Sequence, residues 1–266
     1  MTILSRPPSA FRSRLLAGEQ LVGTFIKTPT THSTEIIGAV GFDFVVIDEE
    51  HAPFDRLTTD AALLAARASG TAALVRVAGL GGILPALDGG ACGVLVPHVA
   101  TAAFAREAAA ACRYKGGRRG YSGSPRHAGY GAGGMWKTVE ASDAATAVVA
   151  QIEDPEALDE IDAIAAVDGI DALFIGRGDL SVAMGAASSD APEVRRAVQR
   201  IAAAARAAGK PVSVFAGNRE EAAWLRTEGA SAFVVSSDQG FLRKAAAQAL
   251  SDIRALSPAG TERADA

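Results

Sequence analysis

Cysteine is nearly absent from this chain: Cys92 and Cys112 are the only two in 266 residues, and they form no Cys-x-x-Cys pair. That usage leaves no disulfide framework and predicts free thiols in a reducing, cytoplasmic compartment. Long apolar runs are missing as well. Gly, Asp or Arg breaks each one before the roughly 20 residues a membrane span requires, so a soluble protein without a membrane partner is expected. The N-terminus carries Arg6, Arg12 and Arg14 but no continuous apolar core, which predicts a leading helix from about Ser9 to Ala17 and no secretory signal. Charge of one sign is scarce too: 26 basic residues against 30 acidic ones give −4, with no basic block to track a nucleic-acid backbone. Small molecules are the expected partners. Neither a Gly-x-x-x-x-Gly-Lys phosphate loop nor a repeat longer than one βα unit occurs.

What the chain does have is alternation. Strand-like runs at Leu21–Ile26, Phe42–Ile47, Ala73–Val77, Gly93–Val96, Ala147–Ile152, Ala172–Ile175, Val212–Phe215 and Ala232–Val235 are separated by Ala-rich segments of helical period. Those segments are Thr34–Val40, Leu57–Ala68, Gly82–Leu87, Ala102–Ala111, Glu156–Ala166, Pro192–Ala208, Arg219–Thr227 and Gln239–Leu250. Eight βα units predict a (β/α)8 TIM barrel, because a Rossmann sheet stops near six strands. With 49% hydrophobic residues the chain can bury such a core as one domain over 1–256, and the polar residues 257–266 are expected to form a flexible tail. Gly41, Gly70, Gly169, Gly209 and Gly229 fall between a helix and the next strand, where they read as helix stops. The Gly/Arg/Tyr-rich segment 113–134 breaks the rhythm and reads as an active-site or subunit-contact loop, with a plain surface excursion as the alternative.

The chemistry gathers at strand ends. Val45-Val46-Ile47-Asp48-Glu49-Glu50-His51-Ala52-Pro53 runs from an apolar strand into carboxylates and a histidine, and Arg76, Glu153 and Asp179 follow later strands in the same way. Two converging oxygen ligands, Glu153 and Asp179, suit a hard divalent cation that keeps positions open for substrate and water. Asp154 reads as a helix cap. Arg76 offers a fork for a carboxylate or an enolate oxygen, or else a salt bridge to a barrel-end acid. His51, flanked by carboxylates, reads as a general base, with metal ligation and a structural role as alternatives. His32, His98 and His127 lie in less patterned surroundings.

Asp48-x-Glu50-His51-Ala52-Pro53, Val75-Arg76-Val77, Leu87-Asp88 before Gly93-Val94-Leu95-Val96-Pro97, Gln151-Ile152-Glu153 and Phe174-Ile175-Gly176-x-x-Asp179-Leu180-Ser181 together resemble the motif series of the HpcH/HpaI aldolase/citrate lyase family. The resemblance spans about Leu21 to Phe241. It implies a phosphoenolpyruvate/pyruvate-type barrel, a homohexamer built as a trimer of dimers that exchange a terminal helix, and a class II pyruvate aldolase acting on 4-hydroxy-2-oxo acids. By the same resemblance Glu153 and Asp179 hold Mg2+ or Mn2+, with Co2+ a further candidate, and Gln151 lies beside them. Backbone N–H groups of Gly178 and Asp179 cap the pyruvate carboxylate, Arg76 stabilises the enolate oxygen, and His51 is the base, paired with Asp88 of a neighbouring subunit. Glu49 and Arg177 depart from the family's usual small residue and proline, which adds charge expected at the pocket mouth.

Three rivals stand beside this reading. A class I aldolase would use Lys27 as a Schiff-base amine. A CoA-thioester lyase of the citrate lyase β type would want a basic groove from Arg118, Arg119 and Arg126. A non-catalytic pyruvate-binding protein would need the metal and Arg76 but not His51.

Overall fold

Side chains alternate inward and outward along every strand, and the two sets pack into two separate cores. In β2 (Phe44–Asp48), Phe44 and Val46 join Leu74, Leu95, Val149, Phe174 and Val234 in the barrel interior, whereas Val45 and Ile47 face the surrounding helices. The computed structural model describes residues 10–256; the 257–266 tail and the start of the leading helix at Ser9 lie outside them. Its other strands are β1 (Leu21–Ile26), β3 (Ala72–Arg76), β4 (Gly93–Val96), β5 (Ala147–Ile152), β6 (Ala172–Ile175), β7 (Val212–Phe215) and β8 (Ala230–Ser237). All pair in parallel in chain order, and β8 returns to β1 to close an eight-stranded barrel.

The helices are α1 (Phe11–Leu16), α2 (Thr31–Val40), α3 (Arg56–Ser69), α4 (Ile83–Asp88), α5 (Ala102–Cys112), α6 (Met135–Ala145), α7 (Ile161–Ala165), α8 (Arg177–Ala183), α9 (Pro192–Ala207), α10 (Arg219–Glu228) and α11 (Asp238–Arg254). Left-handed glycines end α2 and α10: Gly41 has φ 101° and Gly229 φ 113°, where a side chain would be strained. β2 starts two residues later than the periodicity predicts, because Asp43 turns aside to bind Arg14 (2.7 Å) and the Val22 N–H (3.0 Å). α1 plugs the N-terminal end of the barrel with Phe11 and Leu15, and Arg12 holds buried Asp171 through two hydrogen bonds of 3.0 and 2.7 Å. Arg113 (3.0 Å) and the Val148 N–H (2.9 Å) complete that carboxylate.

α6 and α8 were not expected from the sequence. α6 buries only Thr138 and Val139, too few for an apolar stripe, and α8 is a seven-residue turn directly after β6. α11 is anchored at its first turn, where Asp238 accepts the N–H groups of Lys27 (2.8 Å) and Thr28 (3.1 Å) and Phe241 packs on Phe42. Every residue from Leu242 to Leu256 is exposed. Among the described residues, no helix is long and apolar enough to cross a membrane.

Candidate active site

The period of two that fills the barrel also builds its mouth. Phe25, Asp48, Arg76, Gln151 and Gly176 continue the inward-facing rows of β1, β2, β3, β5 and β6, and Lys27, Glu50 and Glu153 stand one step further up their rows. Asp48 and Arg76 are register partners on adjacent strands. The pairing places an acid and a base side by side at the C-terminal end of the barrel, where such folds do their chemistry.

Asp48 is fully buried and heavily committed. Arg76 donates to it from Nε (2.9 Å) and Nη2 (2.7 Å), Lys27 Nζ lies 3.1 Å away, and the backbone N–H groups of Glu50 (3.3 Å) and His51 (3.2 Å) point at Oδ1. Burial by itself would raise its pKa, but the Arg76 hydrogen bonds and charge outweigh that and hold the carboxyl below its ordinary value. The salt-bridge alternative for Arg76 is thus realised. Its remaining nitrogen, Nη1, faces Glu50 Oε2 at 3.3 Å, and the guanidinium stacks 4.8 Å from the Phe25 ring centroid.

Glu153 is 2% exposed and accepts hydrogen bonds from the His98 N–H (2.9 Å) and from Gln151 Nε2. Burial pushes its pKa up, more than these donors lower it, and the nearby charge of Asp179 adds to the rise. Gly176 is required beneath it, since a Cβ there would lie 2.5 Å from Glu153 Cβ and 2.9 Å from Oε2. His98 was not found by sequence reasoning. It follows β4 at a position whose parity points outward, but its φ of 53° breaks the extended run and turns the ring over the mouth. There Nε2 lies 3.4 Å from Glu50 Oε1, and Nδ1 lies 3.6 Å from Glu153 Oε1 and 3.2 Å from Asp154 Oδ1. Asp154, read as a cap, is therefore a histidine partner. One ligand atom from each of Glu50, His98 and Glu153 falls within 4.8 Å of the others, a donor set suited to a divalent cation. Gln151 Oε1, buried beside Glu153, has no hydrogen-bond partner, as expected where a bound group is to be accommodated.

A cavity of about 690 Å³ opens beside this group and is lined by Lys27, His51, Arg76, Gln151, Gly178 and Asp179, among others. His51 is half exposed and 3.8 Å from Glu50 Oε2, an ion-pair distance too long for a hydrogen bond. Asp179 sits in the first turn of α8, faces solvent, and belongs to no set of three clustered ligands among the described residues. Asp88 is not brought to this mouth. It ends α4 at the opposite end of the barrel, paired with Arg119 (3.1 Å) and His127 (3.4 Å). The 113–134 segment packs at that end as well, with Arg126 on the Gly89 carbonyl (2.7 Å) and on Asp60.

The two departures in charge resolve differently. Glu49 turns back to accept from Thr59 (2.8 Å), off the mouth, with burial raising its pKa. Arg177 lines the cavity but is neutralised by Glu221 at 2.6 Å.

A family model for HpcH/HpaI aldolase/citrate lyase matches residues 21–245. A 5-keto-4-deoxy-D-glucarate aldolase of Klebsiella pneumoniae is 37% identical over 246 residues, covering 90% of this chain and 94% of the relative. The crystal structure of an HpcH/HpaI aldolase/citrate lyase family protein from Burkholderia cenocepacia superposes with a TM-score of 0.87 at 31% identity, covering 93% of this chain and 100% of the other. An HpcH/HpaI aldolase from Desulfitobacterium hafniense gives 0.86 at 27% identity, covering 93% and 97%. With the family model matched over residues 21–245 and a relative 37% identical across 90% of this chain, the chain belongs to the HpcH/HpaI aldolase/citrate lyase family.

Proposed function

We propose that the chain is a divalent-metal-dependent aldolase that reversibly cleaves 4-hydroxy-2-oxo acids to pyruvate and an aldehyde, with keto-deoxy sugar acids such as 5-keto-4-deoxy-D-glucarate as the substrate class. The observation that carries the reading is Glu153, a buried carboxylate beside the cavity-lining Gln151 that receives only amide donors and has no Lys or Arg bonded to it. Such a group is costly unless a cation joins it. Glu153 and Asp179 would hold the ion, Mg2+, Mn2+ or Co2+, which supplies Lewis-acid polarisation of the 2-oxo group.

The chain's own residues do the rest. First-turn N–H groups of α8, at Gly178 and Asp179, have no intrahelical acceptor and can bind the substrate carboxylate beside Gln151. His51 takes the proton of the C4 hydroxyl, the C3–C4 bond breaks, its electrons pass to the pyruvate fragment as an enolate, and the aldehyde leaves. Arg76 donates to the enolate oxygen, and Asp48 fixes the plane of its fork. Asp88 can reach His51 only from a neighbouring protomer, which fits a homo-oligomer, a hexamer built as a trimer of dimers.

Two of the three rivals are disfavoured. Lys27, the Schiff-base candidate, is ion-paired to Asp48, and Arg119 and Arg126, wanted for a CoA groove, are engaged at the other end of the barrel. A screen of pyruvate with a panel of aldehydes, with and without Mn2+ or Mg2+, tests the reading. Metal-dependent aldol products are expected; turnover of CoA thioesters alone would exclude it.

Two variants refine the assignment. Arg76→Lys keeps the charge but loses the two-point hold on Asp48, so kcat should fall on the order of 10²-fold; near-normal kinetics would reduce Arg76 to a generic charge. Gly176→Ala should push Glu153 aside while leaving the far-UV circular dichroism intact. Because a displacement of about 1 Å can cost 10²-fold, turnover should drop by roughly that factor.

A further inference from the structure

We propose that a second cavity, at the N-terminal end of the barrel, binds a small organic monocarboxylate that accepts hydrogen bonds from Arg119 Nε and His127 Nδ1. The inference is independent of the metal-dependent reading above, because the site lies at the opposite end of the strands from the mouth.

The cavity, of about 540 Å³, opens beneath the starts of β3, β4 and β5, where α3, the end of α4, the 113–134 segment and α6 meet. Its size is that of an ordinary small-molecule pocket. Leu63 and Leu87 give it an apolar wall, Arg67, Arg119, Arg126 and His127 supply nitrogen donors, and no described carboxylate lines it.

Two of those donors are left open. The Arg119 side chain is 1% exposed and is held at two points: Nη2 donates to Asp88 (3.1 Å), and the guanidinium lies 4.5 Å from the Tyr114 ring centroid. Its Nε–H is buried and has no acceptor. On His127, Nε2 lies 2.9 Å from the Tyr114 hydroxyl, and burial together with the Arg119 charge lowers the pKa, so the ring is neutral. A neutral ring that accepts the Tyr114 proton at Nε2 carries its own on Nδ1. That atom is buried 3.4 Å from Asp88 Oδ1 without hydrogen-bonding geometry. Buried donors without acceptors are rare and costly, and two on one cavity mark where a ligand's oxygens belong. Both side chains approach the same Asp88 oxygen, so a single carboxylate can reach both.

Charge decides the class of ligand. Asp88 balances Arg119 and Asp60 balances Arg126, whereas Arg67, in the last turn of α3, has no ion-pair partner among the described residues. One uncompensated positive charge beside an apolar wall suits one carboxylate on a hydrocarbon body; a phosphate dianion would exceed the charge and leave the wall uncovered.

The test is calorimetric titration of the full chain with 4-phenylbutyrate, alongside 4-phenylbutan-1-ol and inorganic phosphate. The carboxylate should bind once per protomer and resist displacement by saturating pyruvate with Mn2+, while the alcohol and phosphate bind at least about 10-fold more weakly. Arg119→Met should weaken the carboxylate by roughly 10–100-fold. Ala145→Phe fills the cavity from α6, a helix that buries only Thr138 and Val139, so this variant should fold, keep the basal aldol turnover and lose binding. No saturable binding, displacement by pyruvate, equal binding of the alcohol or of phosphate, or binding that survives Ala145→Phe overturns the proposal.

Discussion

Glu153→Ala should abolish measurable aldol turnover, a loss of at least about 10³-fold, and chelation of the wild-type enzyme should reproduce it until Mn2+ or a similar ion is returned. The size follows from losing Lewis-acid stabilisation of several kcal/mol, at roughly 1.4 kcal/mol per factor of ten. Stability should move the other way. The Glu153 carboxyl has its pKa raised in the folded chain, so the fold binds its proton more tightly than the unfolded chain does, and its ionisation weakens the fold as pH rises above the ordinary glutamate range. Removing it at neutral pH should leave Tm unchanged or raise it. Asp48 has the opposite sign. Its pKa is lowered, so its contribution is present at neutral pH and is lost as pH falls through the folded value. Full activity in chelator, with a borohydride-reduced pyruvyl adduct on Lys27, would overturn the class II reading.

His51→Ala should keep metal and pyruvate binding yet lose roughly 10²–10⁴-fold in kcat, the range for one general base. The side chain lines the cavity, and its exposure leaves it free to meet a substrate hydroxyl. Its backbone N–H, not its ring, is what supports Asp48, so truncating the side chain leaves the Asp48–Arg76 pair in place. If metal binding disappears together with activity, the residue is a ligand and the base lies elsewhere.

The barrel was legible because apolar strand-like runs alternate eight times with Ala-rich helical segments, with glycines at five of the helix-to-strand boundaries, and each strand was located to within two residues. The mouth was legible from those strands. Asp48, Arg76, Gln151 and Glu153 keep the strands' parity and so arrive where the apolar rows end. His98 was not legible, because its place depends on one left-handed residue that parity cannot foresee, and its neighbours Pro97 and Val99 give no polar signal. Arg76 illustrates a different limit. Sequence left a catalytic fork and a structural salt bridge as alternatives, and the cross-strand register makes the side chain serve Asp48 while still bordering the cavity. Asp88 shows the limit of a single protomer, since its partners here are Arg119 and His127.

Beyond its first turn, no described residue of its own protomer buries Leu242 (72% exposed), Leu250 (52%) or Ile253 (68%) of α11. A helix left in this state makes folding a matter of mass action: whatever buries that face stabilises the protein by an amount that grows with the logarithm of its concentration. If the cover is a second copy of the chain, Tm should fall steadily across a dilution series from high to low micromolar protein. Specific activity should then fall at the dilute end if, as proposed, a neighbouring protomer's Asp88 completes the site.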